Sequence, residues 1–235
     1  MIVFDNVGVR FKDLTVMENF CGEFEENKVN CILGPSGCGK TTLLNLLGGI
    51  LDCDSGQIAK PERVSYVFQE EALIPQKTAR KNLELVLKSV YQDKKELEKV
   101  IDDFLKISDL ETAADSYPHE MSGGMRQRLA LIRAFAFPSD ILLMDEPFKA
   151  LDTTLKDSLI KAFINLYEKD DRTVFFVTHD IDEALMTGDF IYVYSNKPMT
   201  LQKKFILEEN KETRKKYGEN ITKVKNEIYK ETEMW

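Results

Sequence analysis

Residues 34–42 carry the clearest chemistry in the chain, because they read Gly-Pro-Ser-Gly-Cys-Gly-Lys-Thr-Thr. An apolar run at 29–33 precedes them and a helix-compatible run at 43–47 follows. In such a strand–loop–helix context, glycines let successive backbone N–H groups curl around an anion, and the helix points its positive end at it. Lys40 offers a compact charge to the β- and γ-phosphates, and the Thr41 hydroxyl can bind Mg²⁺. The sequence therefore predicts a nucleotide-binding loop.

Polar side chains also stand at the ends of three apolar runs: Gln69 after 64–68, Asp145 and Glu146 after 141–144, and His179 shortly after 174–177. In an open parallel sheet, ligands bind in the crevice beyond the carboxyl ends of the strands. Carboxylates at a dry strand end cost free energy unless they are paired or bind a metal ion. We therefore expect Asp145 to hold Mg²⁺, Glu146 to polarise an attacking water, and His179 to contact the γ-phosphate or that water.

A second possible anion site begins at Ser122, Gly123 and Gly124, which open another helix. Serine is a favoured N-cap, and the two glycines leave backbone N–H groups exposed at the helix start. Taken alone, these residues are explained more simply by an ordinary capped helix.

The wider pattern predicts an α/β fold around these motifs. Residues 1–11 alternate apolar and polar side chains and residues 14–24 suggest a second strand, so an antiparallel layer precedes the phosphate loop. Helical spacing replaces alternation between about residues 70 and 121, which predicts an inserted helical subdomain. Phe11, at the first strand's end, either stacks on an adenine ring or packs in the core. The charged segment after residue 203 is expected to form a surface helix without chemistry.

The composition argues against several classes of protein. A formal net charge of −8 is unfavourable for a nucleic-acid partner. No apolar stretch approaches the roughly 18 residues of a membrane span, and the N-terminus lacks the basic region of a secretory signal. The four cysteines lack Cys-x-x-Cys spacing, so a reducing compartment fits best. Because Cys38 lies inside the phosphate loop, we expect the site to be sensitive to thiol reagents.

Together these residues resemble the nucleotide-binding subunit of an ATP-binding cassette (ABC) transporter, over nearly the whole chain up to about residue 200. The family's motifs occur in the family's order: the adenine-stacking aromatic at Phe11, Walker A at 34–42, the Q-loop at Gln69, the signature at 121–125, Walker B with the catalytic glutamate at 141–146, the D-loop at 150–152 and the switch histidine at His179. Methionines replace both ends of the commonest signature, and Lys149 stands where a small residue is usual. Residues 125–128, 146–148 and 151–152 resemble the branch serving nitrate, sulfonate and taurine importers.

This resemblance implies a P-loop NTPase fold of the α/β class, with a mainly parallel sheet core, an N-terminal antiparallel β layer and an inserted α-helical subdomain. The ATPase domain is expected at 1–200 with the insert at about 71–135, and a charged helical tail at 201–235. Glu146 and His179 are the expected catalytic residues, and Thr41, Gln69 and Asp145 the expected metal ligands. The expected ATP-binding residues are Phe11, Gly34, Pro35, Ser36, Gly37, Cys38, Gly39, Lys40, Thr41, Thr42, Gln69, Ser122, Gly123 and Gly124.

The resemblance also implies cofactors and partners. ATP and Mg²⁺ are expected, as is a head-to-tail homodimer that holds two ATP molecules between the phosphate loop of one copy and residues 122–124 of the other. Membrane permease subunits are expected to dock on the helical subdomain at the cytoplasmic face of the membrane, with a solute-binding protein acting indirectly and no nucleic acid. The subunit is then expected to power uptake of nitrate-, sulfonate- or taurine-like solutes.

Two other functions remain open. A soluble cassette ATPase of DNA repair or translation usually carries a long coiled-coil insertion or two fused cassettes, and neither pattern occurs in this sequence. A P-loop kinase acting on a small molecule explains the phosphate loop, but it leaves residues 122–124 and the Glu146/His179 pair without a role.

Overall fold

The computed structural model describes residues 1–149, 151–214 and 218–232. Its first layer is an antiparallel sheet of three strands, in the order β2-β1-β4. These strands are β1 (Ile2–Phe11), β2 (Leu14–Phe24) and β4 (Ser55–Ala59). The sequence did not predict β4, because it follows turn residues and offers only Ile58 to the packing. The predicted N-terminal antiparallel layer is otherwise confirmed.

The second sheet has six strands in the order β5-β6-β7-β3-β8-β9. They are β3 (Val29–Leu33), β5 (Val64–Val67), β6 (Ile141–Asp145), β7 (Thr173–Thr178), β8 (Phe190–Tyr194) and β9 (Leu201–Ile206). Every adjacent pair is parallel except β8 with β9. The central strands read as continuous apolar runs because both faces of the sheet are covered.

Helices fill the intervals between the strands of the second sheet. They are α1 (Lys40–Leu47), α2 (Ala79–Leu87), α3 (Lys94–Ile107), α4 (Gly123–Ala136), α5 (Thr153–Tyr167), α6 (Ile181–Thr187) and α7 (Glu219–Thr232). Residues 68–140, all described, contain α2, α3, α4 and two short 3-10 helices but no strand, which confirms the predicted helical insert. Ser122 caps α4, as its position in the sequence predicted, and Thr78 caps α2.

Two apolar cores lie on opposite faces of the second sheet. Strand β7 shows the division, because Val174 and Phe176 belong to the core covered by the helices, whereas Phe175 and Val177 belong to the core covered by the antiparallel layer and α1. The two-residue period of a strand sends successive side chains to opposite faces. Buried on both faces, the sheet provides a rigid base for the loops at its edge.

Phe24 joins the two sheets. Its side chain is fully buried, and its ring centroid lies 5.8 Å from that of Phe4, 4.9 Å from that of Phe175 and 4.8 Å from that of Tyr192. Edge-to-face and tilted aromatic pairs at these separations add to the free energy of burial. The antiparallel layer is thereby fixed against the strands that carry the phosphate loop.

The segment after residue 200 corrects one expectation. A helix was expected from residue 203, but residues 201–206 form β9, which pairs with β8 at the edge of the sheet. Lysines in β9 interrupt the apolar alternation by which a strand is predicted. They keep their charges at the surface and lie over aromatic rings, and Nζ of Lys204 is 4.6 Å from the centroid of the Phe190 ring. The expected helix appears as α7, whose Ile221 and Ile228 are buried against the domain. Residues 215–217 and 233–235 of the predicted tail lie outside the described residues.

Within the described ranges, each helix is too short or too polar to cross a membrane.

Replacing Phe24 with alanine tests the role of this side chain in joining the sheets. We expect Phe24→Ala to lower the free energy of unfolding by about 3–5 kcal/mol, because it leaves a cavity between the sheets. Leu14 lies on the same strand and is 48% exposed, so Leu14→Ala should change stability by no more than about 0.5 kcal/mol. Urea unfolding of both variants measures the difference. Equal destabilisation would show that Phe24 has no special role at the joint.

Candidate nucleotide site

The phosphate loop lies between β3 and α1, and two of its glycines adopt backbone angles that other residues avoid. Gly37 has φ of 78° and Gly39 has φ of 128°. A Cβ on Gly39 would also lie 2.9 Å from Cγ1 of Val16 in β2, so the antiparallel layer packs directly on the loop. Glycine is required here both for the backbone angle and for the close approach.

Lys40 holds this loop closed. Its side chain is buried, and Nζ donates to the carbonyl oxygens of Gly34 at 2.7 Å and Pro35 at 2.9 Å. An ammonium group carries three N–H donors, so it can keep these bonds and still donate to a phosphate oxygen. The loop is therefore preorganised around its own lysine.

Thr41 and Asp145 come together although they lie far apart in the sequence. The Thr41 hydroxyl donates to Asp145 Oδ2 at 2.9 Å, linking the start of α1 to the end of β6. A hydroxyl and a carboxylate are hard oxygen ligands of the kind that Mg²⁺ prefers, and Mg²⁺ usually takes its remaining ligands from water and substrate phosphates. The described residues include no cluster of three His, Cys, Asp or Glu side chains suited to a metal. The donor set fits Mg²⁺.

The electrostatics of Asp145 support the same conclusion. Burial raises the pKa of this carboxyl, the neighbouring Glu146 adds to the effect, and the hydrogen bond from Thr41 and the charge of Lys40 offset only part of it. A buried carboxylate with a raised pKa lacks sufficient positive charge around it. A divalent cation at this strand end would supply that charge.

Glu146 follows Asp145 directly and faces two nitrogen donors. Its backbone has φ of 45° and donates to the Val177 carbonyl at 2.9 Å, which turns the side chain along the edge of the sheet. Oε1 lies 3.4 Å from His179 Nδ1, and Oε2 lies 2.6 Å from Lys149 Nζ. Burial raises the pKa of Glu146, but the close ion pair with Lys149 and the nearby His179 outweigh it, so the pKa lies below its usual range. The carboxylate is held ionised.

A cluster of charged side chains fixes the start of α6, directly after His179, and the sequence did not predict it. Its side chain is 54% exposed, but the next residue, Asp180, caps α6 and pairs with Lys156 at 2.7 Å. Lys156 also contacts Glu183 at 2.8 Å, and Glu183 accepts a hydrogen bond of 2.6 Å from Thr178. The sequence signal was Asp180 followed three residues later by Glu183, a spacing typical of a capped helix start.

Two other predicted residues lie on the rim of the site. Gln69 is exposed and lies two residues beyond Val67, which pairs with Met144 next to Asp145, so it stands at the same sheet edge. Phe11 is 47% exposed at the end of β1, on the hairpin whose Val16 packs against Gly39. This exposure argues against the core position for Phe11 and leaves its ring available for stacking.

Residues 122–124 lie apart from the phosphate loop. Ser122 and Gly123 are exposed at the start of α4, where Ser122 Oγ accepts a hydrogen bond from the Met125 backbone at 3.3 Å. Helix α4 packs on α2, α3, α5 and β5, whereas α1 packs on β6 and β7. A Cβ on Gly124 would lie 2.5 Å from Leu155 Cδ1, so this glycine also permits close packing on α5. The starts of α1 and α4 are thus separate in the structure.

Comparison with known proteins identifies the fold family. The sequence model of the ABC transporter family matches residues 17–149. The chain belongs to this family. In structure, it superposes on a dimeric post-hydrolysis state of the ATP-binding cassette MJ0796 bound to ADP and Pi, with a TM-score of 0.76, 29% identity, and coverage of 89% of this chain and 100% of that chain. The predicted α/β P-loop fold and the predicted family are both confirmed.

Several relatives of this cassette are import subunits. The aliphatic sulfonates import ATP-binding protein SsuB of Bacillus cereus is 34% identical over 94% of this chain and 90% of its own length. The spermidine/putrescine import protein PotA of Chromobacterium violaceum is 40% identical over 81% of this chain, and the nitrate import protein NrtC of Synechococcus elongatus is 39% identical over 71%. The cassette spans only 56% of the length of PotA and 27% of that of NrtC.

The cassette structure also revises the expected reactivity of Cys38. Cys38 is 1% exposed, and its sulfur turns inward within the Walker A loop, 2.9 Å from where a Cβ on Gly34 would stand. Burial raises the pKa of the Cys38 thiol, and the nearby charge of Lys40 only partly opposes this. Because the thiolate is the reactive form, Cys38 is protected in the folded protein.

Ala150, in the D-loop motif, lies outside the described residues.

Alkylation by iodoacetamide tests this protection, with the exposed Cys21 as an internal control. A thiol with a raised pKa has a smaller thiolate fraction at every pH below that pKa, and burial also keeps the reagent away from the sulfur. We expect Cys38 to react at least about tenfold more slowly than Cys21 at pH 7.5. Mass spectrometry of the two peptides measures both rates. Labelling of Cys38 as fast as Cys21 would contradict the buried position.

Proposed function

We propose that this cassette is the ATP-binding and ATP-hydrolysing subunit of an importer. The observation that carries the proposal is the convergence of Thr41, Asp145, Glu146 and His179 beside a preorganised phosphate loop. A phosphate cradle, two hard oxygen ligands and an ionised carboxylate held by a histidine are the groups that hydrolysis of a nucleoside triphosphate requires.

Each group has a distinct task in this reaction. The backbone N–H groups of 37–42 and Lys40 bind the phosphates, and the exposed ring of Phe11 stacks on the base. Thr41 and Asp145 hold Mg²⁺, which neutralises charge on the phosphate oxygens when bound. Glu146 accepts the proton of the attacking water at Oε1, and His179 orients that carboxylate and the water. Gln69, on the rim of the site near Asp145, would contact both Mg²⁺ and the bound ATP.

The site needs a second copy of the chain. Ser122 and Gly123 are exposed at the start of α4, and this helix packs on other elements than the helix of the Walker A loop does. We infer a head-to-tail homodimer in which these residues bind the γ-phosphate held by the partner subunit. The dimeric form of the similar cassette MJ0796, bound to ADP and Pi, supports this arrangement. Hydrolysis would then remove the group that both copies share, and so release the dimer.

The helical insert is the proposed docking surface for a membrane permease. Four large apolar side chains are exposed there: Leu85, Val90, Ile107 and Tyr117. Gln69 stands between this insert and the sheet, so nucleotide state can reach the permease through it. We propose that the subunit works at the cytoplasmic face of the membrane and powers uptake of a small solute, with a solute-binding protein acting through the permease. The import subunits that the chain is similar to act on solutes as different as aliphatic sulfonates, nitrate and spermidine/putrescine. The proposal of a nitrate-, sulfonate- or taurine-like solute therefore rests on the pattern of residues 125–128, 146–148 and 151–152.

The alternatives predict different behaviour. A small-molecule kinase needs no second copy and has no use for exposed residues 122–124, whereas a soluble cassette ATPase dimerises but binds no permease. Dimerisation on ATP therefore separates the kinase from the cassette, and co-purification with a permease separates the two cassette functions.

ATP-driven dimerisation of Glu146→Gln is the central test. Glutamine cannot accept the proton, so we expect ATP hydrolysis to fall by about 10²- to 10⁴-fold while ATP still binds. Unhydrolysed ATP then holds the two copies together, and size-exclusion chromatography should show a dimer with ATP and a monomer without it.

The double variant Ser122→Arg, Glu146→Gln is the matched control. Arginine blocks the γ-phosphate contact of the partner subunit and leaves the Walker A loop unchanged, so this variant should bind ATP as a monomer. If neither variant dimerises although both bind ATP, the shared site is wrong. A substrate screen for kinase activity would then follow.

A further inference from the structure

Lys149 lies on a short turn that returns its side chain to Glu146. The Lys149 backbone N–H donates to the Glu146 carbonyl at 3.1 Å, which closes a four-residue turn. Between them Phe148 is 2% exposed, and its ring centroid lies 5.6 Å from that of Phe176. The turn is therefore anchored in the core, and the lysine stem points back along it rather than away from the site.

The two side chains form a close ion pair in an asymmetric environment. Lys149 Nζ lies 2.6 Å from Glu146 Oε2; the glutamate side chain is 13% exposed and the lysine side chain 41%. A pair with one partly desolvated member is screened less than a surface pair. The other carboxylate oxygen lies 3.4 Å from His179 Nδ1, so each oxygen of Glu146 faces a nitrogen donor.

This pair is not needed to create the base. A glutamate of ordinary pKa is already ionised at neutral pH. The Lys149 ammonium has two other effects. It fixes the orientation of the Glu146 carboxylate, and it occupies an oxygen lone pair that would otherwise accept the proton of water. While it is paired with Lys149, Glu146 is therefore less able to accept a proton from the attacking water.

We propose that Lys149 is a positioning residue that restrains Glu146 in the isolated subunit, and that hydrolysis requires this ion pair to open. The inference rests on the proposed role of Glu146 as the base. In the proposed dimer, residues 122–124 of the partner subunit close over the γ-phosphate beside Glu146, and so next to the turn that carries Lys149. The ion pair thereby couples assembly to the start of hydrolysis.

Steady-state ATP hydrolysis by the full chain tests the restraint. Lys149→Met keeps an unbranched side chain without the charge, so we expect kcat to rise about two- to fivefold, the effect of losing a partly exposed ion pair, with KM for ATP unchanged. Lys149→Arg keeps the charge and should behave like the wild type. Lys203→Met is the matched control, since Lys203 is 39% exposed and pairs with Glu227 away from the site.

The double variant Lys149→Met, Glu146→Gln separates the two proposals. It should be as inactive as Glu146→Gln, because the gain from Lys149→Met acts only through the base. If Glu146→Gln itself hydrolyses ATP like the wild type, the proposed base is wrong. If Glu146→Gln is inactive but Lys149→Met leaves kcat unchanged or lowers it, the base stands and the restraint is overturned. A rise with Lys149→Arg also overturns it, since the charge is then irrelevant.

A second measurement needs no hydrolysis. Reductive methylation of the nucleotide-free protein, followed by mass spectrometry, reports how freely each lysine amine reacts. We expect Glu146→Gln to increase the rate at Lys149 and to leave the rate at Lys203 unchanged. An unchanged rate at Lys149 would show that the ion pair is absent in solution and would reject the proposal.

Discussion

The parallel pairing of β6, β7 and β3 is the constraint on which the site depends. Parallel neighbours bring their carboxyl ends to one edge, and the register fixes which residues meet there, with Asp145 opposite Val177 and Leu33 opposite Thr178. The phosphate loop, the two carboxylates and His179 each follow one of these strand ends. A slip of one residue would turn every side chain of a strand to the opposite face and disperse the site.

Charge is balanced at this edge by pairing buried acids with specific partners. Asp145 has a raised pKa because burial outweighs its contacts with Thr41 and Lys40, whereas Glu146 has a lowered pKa because Lys149 and His179 outweigh burial. The two adjacent carboxyls therefore differ: the positive charge near Asp145 does not offset its burial, whereas that near Glu146 does. Asp145 is suited to a metal ion, and Glu146 is an ionised group whose ion pair with Lys149 is proposed to open before it acts.

The antiparallel layer and the helical insert, which cover opposite faces of the second sheet, contribute different parts of the site. The antiparallel layer packs on the phosphate loop through Val16 and is joined to the sheet by Phe24, which keeps the loop rigid. The helical insert carries residues 122–124 on its own helix, α4, where they can meet a second copy. In the proposed dimer, a rigid half-site on one copy and a complementary half-site on the other would together form a nucleotide-dependent clamp.

The sequence by itself determined the phosphate loop, the strand ends, the cap of α4 and the helical insert, because these depend on backbone angles and periodicity over a few neighbouring residues. Tertiary structure decided the rest. The bond from Thr41 to Asp145 spans 104 positions, and the burial of Cys38 depends on the loop above it. Edge strands β4 and β9 escaped prediction, since one exposed face and surface lysines remove the apolar alternation. The pairing of Lys149 with Glu146 required a turn whose direction is set by the burial of Phe148.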